Sequence, residues 1–74
     1  MVVGAKQTLR MIEHGLVREV YIAGDADAYV TRHVIEAARA DRVPVKYVES
    51  MKKLGSICGI DIGAAVAGDL KQPD

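Results

Sequence analysis

The sequence predicts a small α/β layered sandwich, and three observations carry that expectation. Short Val- and Ile-containing runs alternate with helical stretches along the chain, the rhythm that layered α/β folds produce. At 74 residues there is room for one domain, 1–74, and one modest core. Half of the residues are hydrophobic. Much of that content is Ala and Val, which pack densely and leave little space for a deep substrate cavity.

Val2-Val3 reads as the end of a short strand. From Gly4 the pattern turns helical: Ala5, Leu9, Ile12 and Leu16 recur at spacings of four, three and four and are expected to line one buried face. Gly15 ends that helix in a left-handed conformation. Val20-Tyr21-Ile22-Ala23 is short and nearly continuous in apolar character, which suits a strand covered on both faces. Asp27 is an N-cap for the next helix, whose core stripe is expected at Val30, Val34, Ala37 and Ala38. Asp41-Arg42-Val43-Pro44 terminates it, and Val45–Val48 forms a further strand. Ser50 caps a brief helix that stops near Gly59, residues 60–63 form a loop, and Ala64–Ala67 is the final strand. The tail beyond Ala67 is expected to be frayed, residues 69–74 in particular.

No run reaches the roughly 18 apolar residues of a membrane span, and Met1-Val2-Val3-Gly4 does not open like a signal peptide. One cysteine, Cys58, can form no internal disulfide, so a cytoplasmic location is expected. Lys and Arg total 10, as do Asp and Glu, leaving no net charge. The distribution is uneven. No acid occurs before Glu13, where Lys6 and Arg10 stand, and none between Ser50 and Ile60, where Lys52 and Lys53 stand. If these stretches meet in space, a neutral chain presents a positive face to polyanions.

Catalysis is disfavoured. Cys58 could be a nucleophile only with a base such as His14 or His33, and no local signature joins them. A small apolar side chain at the end of a short helix is its simpler reading. Asp25-Ala26-Asp27 lacks the further ligands of a calcium loop, and Asp27 as a cap with Asp25 near the same helix start accounts for both. The glycines form no phosphate-loop or dinucleotide signature. No catalytic residue, metal site or cofactor is expected.

Two features remain. Lys6 and Arg10 are four apart with Gln7 beside them, at a helix start whose free N–H groups and dipole favour an anion. Arg and Lys can read guanine acceptors, and Gln can both donate and accept at a base edge. The same residues could equally be a solvated helix face. The second feature is Met51-Lys52-Lys53-Leu54-Gly55 followed by Gly59-Ile60-Asp61-Ile62-Gly63. Ile60 and Ile62 either fold inward or make an apolar platform for an unstacked base. With no Phe or Trp and three Tyr, modules that stack single strands on exposed aromatics are disfavoured, and structured RNA fits better.

Five blocks in one order carry a resemblance: Gly4-Ala5-Lys6-Gln7-Thr8-Leu9-Arg10, Ile22-Ala23-Gly24-Asp25-Ala26-Asp27, Val43-Pro44-Val45, Val48-Glu49-Ser50-Met51-Lys52-Lys53-Leu54-Gly55, and Cys58-Gly59-Ile60. From Val2 to about Ala67 the chain resembles the large-subunit ribosomal protein seven (L-seven-Ae) family, its small bacterial YbxF-type members most closely. The resemblance implies a three-layer α/β/α sandwich with a small mixed β-sheet that binds kink-turn RNA without catalysis. A kink-turn is a duplex bent at a bulge and followed by tandem sheared G·A pairs. By the same resemblance Lys6, Gln7 and Arg10 contact those guanines, and Gly4 and Ala5 allow close backbone approach. Gly59, Ile60, Asp61 and Ile62 cover the flipped bulge base. Lys52 and Lys53, from the charge distribution rather than the resemblance, are expected to complete the RNA-binding set by neutralising phosphates.

The sequence departs from the wider family in three ways. Lys6-Gln7 stands where Asn-Glu is common, although the bacterial members share Lys-Gln. Arg10 replaces a usual Lys, and the two are not interchangeable at a close contact. The family's N-terminal helical segment is expected to be absent or much reduced, leaving one sheet face less covered. The expected partner is a kink-turn in ribosomal RNA, a riboswitch or another transcript, bound by a monomer, with no membrane or DNA partner. Association with the ribosome is one form of this. The alternative is a protein-interaction module of the same superfamily without specific RNA binding.

Overall fold

The computed structural model describes residues 1–72. In chain order the elements are β1 (Val2–Val3), α1 (Ala5–Glu13), β2 (Val17–Ala23), α2 (Ala28–Ala40), β3 (Val45–Val48), α3 (Met51–Ile57) and β4 (Val66–Leu70). The strands form one sheet in the order β1-β4-β2-β3. β2 runs parallel to β3, whereas β4 is antiparallel to both β1 and β2, so the sheet is mixed.

The central strand β2 explains the layering. Side chains along a strand alternate between faces, and in β2 both faces are buried. Val20 and Ile22 join Ile12 of α1 and Val34 and Ala38 of α2 in one core. Ala23 joins Leu54 of α3, Ala64 and Ala67 in a second core on the opposite face. α1 and α2 therefore pack together on one side and α3 on the other, giving the expected three-layer α/β/α sandwich. Beyond the reach of α3, its face carries polar pairs. Arg18 pairs with Asp69, Tyr21 donates to Glu19, and Lys46 lies 3.2 Å from Glu19. Among the described residues no helix is long and apolar enough to cross a membrane.

All three helices end in the same hydrogen-bonded motif, in which two amides beyond the helix return to its last carbonyls. In α1 these are Gly15 to Ile12 and Leu16 to Met11, and in α3 they are Gly59 to Ser56 and Ile60 to Gly55. In α2 they are Arg42 to Arg39 and Val43 to Ala38. The left-handed position is glycine in α1 and α3 but Arg42, at φ 57°, in α2.

Several expectations are corrected. Leu16 lies beyond the turn at Gly15 and is 47% exposed, and Val17 takes the core position as the first residue of a longer β2. Val30 is 44% exposed because Thr31, Val34 and Ala38 form the inward stripe of α2. The last strand begins at Val66 rather than Ala64 and extends to Leu70, so the tail is not frayed at Gly68, Asp69 and Leu70. Gly68 and Asp69 hide this strand in the sequence by interrupting its apolar run. A Cβ at position 68 would sit 3.0 Å from Thr8 Cγ2, so the glycine lets α1 lie close on the sheet. Asp69 in turn is neutralised by Arg18. Of the expected frayed tail, residues 73 and 74 lie outside the described residues.

Candidate functional site

The two features singled out in the sequence lie at one end of the sheet. Backbone hydrogen bonds join Gly4 N to Val66 O at 2.8 Å, Ala23 N to Ala65 O at 2.9 Å and Gly24 N to Val48 O at 2.7 Å. The β1–α1, β2–α2 and β3–α3 turns and the loop entering β4 therefore cluster together.

Gly4 opens α1 with φ 104° and ψ 150°, a conformation that side chains resist. A Cβ there would meet nothing within 4 Å, so the glycine answers a backbone requirement and leaves open space in front of the helix. α2 and α3 begin with side-chain caps: Asp27 accepts from Tyr29 N at 2.8 Å, and Ser50 accepts from Lys53 N at 3.0 Å. α1 has no side-chain cap. Its first-turn amides, the donors that a helix cannot satisfy internally, stand beside Lys6, Gln7 and Arg10, all exposed. Neither Lys6 nor Arg10 forms an ion pair with another described residue. Ala5 is half-buried against the first core.

The second feature is built on α3. Lys52 and Lys53 are exposed in its first turn, and neither is paired with another described residue. Past Gly59 the two isoleucines separate: Ile60 packs against the second core, while Ile62 is 75% exposed. Asp61 between them faces solvent. Met51 and Ile57 add exposed apolar surface on the same helix; of the two, Ile57 lay outside the feature singled out in the sequence. The loop is pressed against α3 at two glycines. A Cβ on Gly55 would overlap the Ile62 carbonyl, with its carbon at 3.1 Å and Gly63 Cα at 3.2 Å, and a Cβ on Gly63 would lie 3.2 Å from Met51 Cβ. A glycine in mid-helix disfavours helix by about 1 kcal/mol, and that cost is the sequence signal for such a close approach.

One further side chain has a different role from that expected, and another keeps its expected one. Asp25 does not serve α2; its Oδ1 accepts from Met51 N, the first amide of α3, at 2.7 Å. The carboxylates of Asp25 and Asp27 thus cap two helices on opposite faces of the sheet. Cys58 is half-buried against the second core, and burial pushes its thiol above the usual range. That is the opposite of what a nucleophilic cysteine needs.

Comparisons with known proteins bear on the family and the fold. A family model described as "Ribosomal protein L7Ae/L30e/S12e/Gadd45 family" matches residues 1–72. The chain is 46% identical over 69 residues to RNA-binding protein TTE2299 of Caldanaerobacter subterraneus subsp. tengcongensis, covering 93% of this chain and 84% of that protein. It is 45% identical over 71 residues to RNA-binding protein YbxF of Geobacillus stearothermophilus, covering 96% and 87%. Among solved structures it is similar to the Giardia lamblia 15.5kD RNA binding protein, with a TM-score of 0.88 and 30% identity. That match covers 95% of this chain, which spans 59% of the Giardia protein. A Bacillus halodurans protein of unknown function shares the fold, with a TM-score of 0.86 at 23% identity over 95% of this chain and 70% of its own. In this company the chain is a binding protein and not an enzyme. By sequence and fold together, it belongs to the ribosomal protein L7Ae/L30e/S12e/Gadd45 family.

Proposed function

We propose that the chain binds RNA, and that its target is the kink-turn: tandem sheared G·A pairs beside a bulge with a flipped base. The observation that carries this reading is the uncapped start of α1, where free amides and the exposed side chains of Lys6, Gln7 and Arg10 share one open surface. The relatives named for RNA binding support it. Lys6, Gln7 and Arg10 meet guanine edges, while Gly4 and Ala5 let the RNA approach the backbone. Gly59, Ile60, Asp61 and Ile62 form the second contact. Ile62 offers its apolar surface to the flipped base, and Ile60 anchors the loop to the core. Lys52 and Lys53 attract phosphates without regard to sequence. Binding only the kinked form shifts the RNA population by the difference in affinity between its two states. Ribosomal RNA, a riboswitch or another transcript can present such a motif, and the compartment is the cytoplasm.

The test is a titration into a kink-turn RNA carrying a dye at each helix end, at fixed salt and magnesium. A control RNA has Watson–Crick pairs in place of the G·A pairs. Tight binding that draws the ends together, with weak binding to the control, is expected. Equal and weak binding to both RNAs refutes the reading and favours a protein-interaction module.

A further inference from the structure

We infer that Asp25 is a positioning residue for RNA recognition, holding the 59–62 loop through the backbone of Met51. The inference rests on the kink-turn reading for its functional meaning, but its structural basis is independent. Met51 is gripped from two sides. Its amide donates to Asp25 Oδ1 at 2.7 Å, and its carbonyl accepts from Ala64 N at 3.0 Å. One residue thus links the β2–α2 turn to the point where the loop leaves for β4. The loop is packed on the same turn of α3, since Gly63 lies against Met51 Cβ and Ile62 against Gly55.

Ser50 already caps this helix by accepting from Lys53 N. Asp25 therefore adds something a local cap does not: a bond between residues 26 apart in sequence. The turn that carries Asp25 is itself fixed, by Gly24 N to Val48 O at 2.7 Å and Ala26 N to Ala23 O at 3.1 Å. Ala26 also packs into the second core. The carboxylate is a rigidly mounted acceptor, and removing it frees the first turn of α3 to shift with Lys52, Lys53 and the loop attached.

Charge alone makes the opposite demand. A carboxylate near Lys52 and Lys53 weakens the attraction of this surface for phosphate, so a purely electrostatic Asp25 would bind RNA better once neutralised. Asparagine keeps the acceptor oxygen and loses the charge; alanine loses both.

The experiment compares Asp25→Asn and Asp25→Ala in the full chain, at a temperature where both are folded by circular dichroism. Affinity for the kink-turn RNA and amide hydrogen exchange of the free protein are both measured. Asp25→Ala is expected to bind roughly tenfold more weakly, about the worth of one net hydrogen bond, and to exchange faster at Ala64 and Ile60. Asp25→Asn is expected to restore both. Adding Ile62→Ala to Asp25→Ala should cost less than the two separate effects combined, because both act through one loop. Unchanged exchange at Ala64 in Asp25→Ala overturns the proposal, as does an Asn variant as impaired as the Ala variant. If the unmodified protein does not distinguish kink-turn from control RNA, the kink-turn reading fails, and the exchange comparison still decides whether Asp25 holds the loop.

Discussion

Replacing Gly55 by alanine tests the packing that shapes the second half of the site, and here two effects of opposite sign compete. In a solvent-exposed helix interior, Gly→Ala stabilises by about 1 kcal/mol through helix propensity. Gly55 is instead buried, and a Cβ there would overlap the Ile62 carbonyl with further backbone atoms at 3.1 and 3.2 Å. Every one of those neighbours is backbone, so no side-chain rotation relieves the contact. The loop must retreat by roughly 1 Å to restore ordinary carbon separations. Overpacking of this kind costs about 1–3 kcal/mol. With no flexible neighbour the upper half of that range applies, and after the propensity gain the net loss is about 1–2 kcal/mol. Urea denaturation of a domain this small, with a slope near 1 kcal/mol per molar, should show the midpoint fall by roughly 1–2 M. Ser56→Ala, at an exposed neighbouring position in the same helix, controls for propensity and should not lower the midpoint. A Gly55→Ala protein more stable than the original would refute the reasoning, because it would mean the loop does not rest on α3.

Other positions give separate expectations. Arg42 holds a left-handed conformation that glycine adopts without strain, so Arg42→Gly should stabilise by about 0.5–1 kcal/mol; a lowered melting temperature refutes this. Thr8 is fully buried and its hydroxyl has no hydrogen-bond partner. Thr8→Val should therefore be neutral or stabilising by up to about 2 kcal/mol, and a clear loss in thermal melting would reveal an unseen partner for the hydroxyl. Arg10→Ala should reduce kink-turn affinity by about 1–3 kcal/mol with melting unchanged, and undiminished binding removes Arg10 from the interface. The carboxyl of Glu19 is held below its ordinary value of 4.5, first by the hydrogen bond from Tyr21 and, against an opposing effect of burial, by Lys46. A depressed folded-state value contributes stability above 4.5 that is lost as pH falls through it. Acid melting curves of Glu19→Gln should accordingly be flatter than those of the original, and parallel curves would discount the pair.

Local signals reached the sequence wherever one residue and its near neighbours decide the outcome. Asp27 and Ser50 cap the helices they precede, and Gly15 and Gly59 close the helices they follow, because capping depends on atoms within a few residues. The alternation of Val20, Tyr21, Ile22 and Ala23 is as doubly buried as its apolar run implies. Misplacements arose where a distant partner rewrites the meaning of a residue. Gly68 and Asp69 look like a chain end until Thr8 fills the space above the glycine and Arg18 neutralises the acid. Asp25 looks like part of the α2 start because Asp27 lies two residues away. Its partner is Met51 on the other face of the sheet, and no local pattern encodes that. Ile60 and Ile62 carry identical chemistry two residues apart, and only the packing of α3 sends one inward and the other out.

The topology explains why the candidate site residues come from both halves of the chain. β1 and β4 are antiparallel neighbours, so the C-terminal end of one lies beside the N-terminal end of the other. Gly4 leaves β1 at the place where Val66 enters β4, and a 2.8 Å bond joins them. The start of α1 and the loop from α3 must then approach each other whatever their side chains are. The sheet also divides α1 and α3 between its two faces, which places the Lys6–Arg10 surface and the Lys52–Lys53 surface on either side of a shared edge. A rigid duplex end lying against one face would meet only half of these residues. On the proposed reading, the partner that meets both is a nucleic acid whose two arms fold toward each other around that edge.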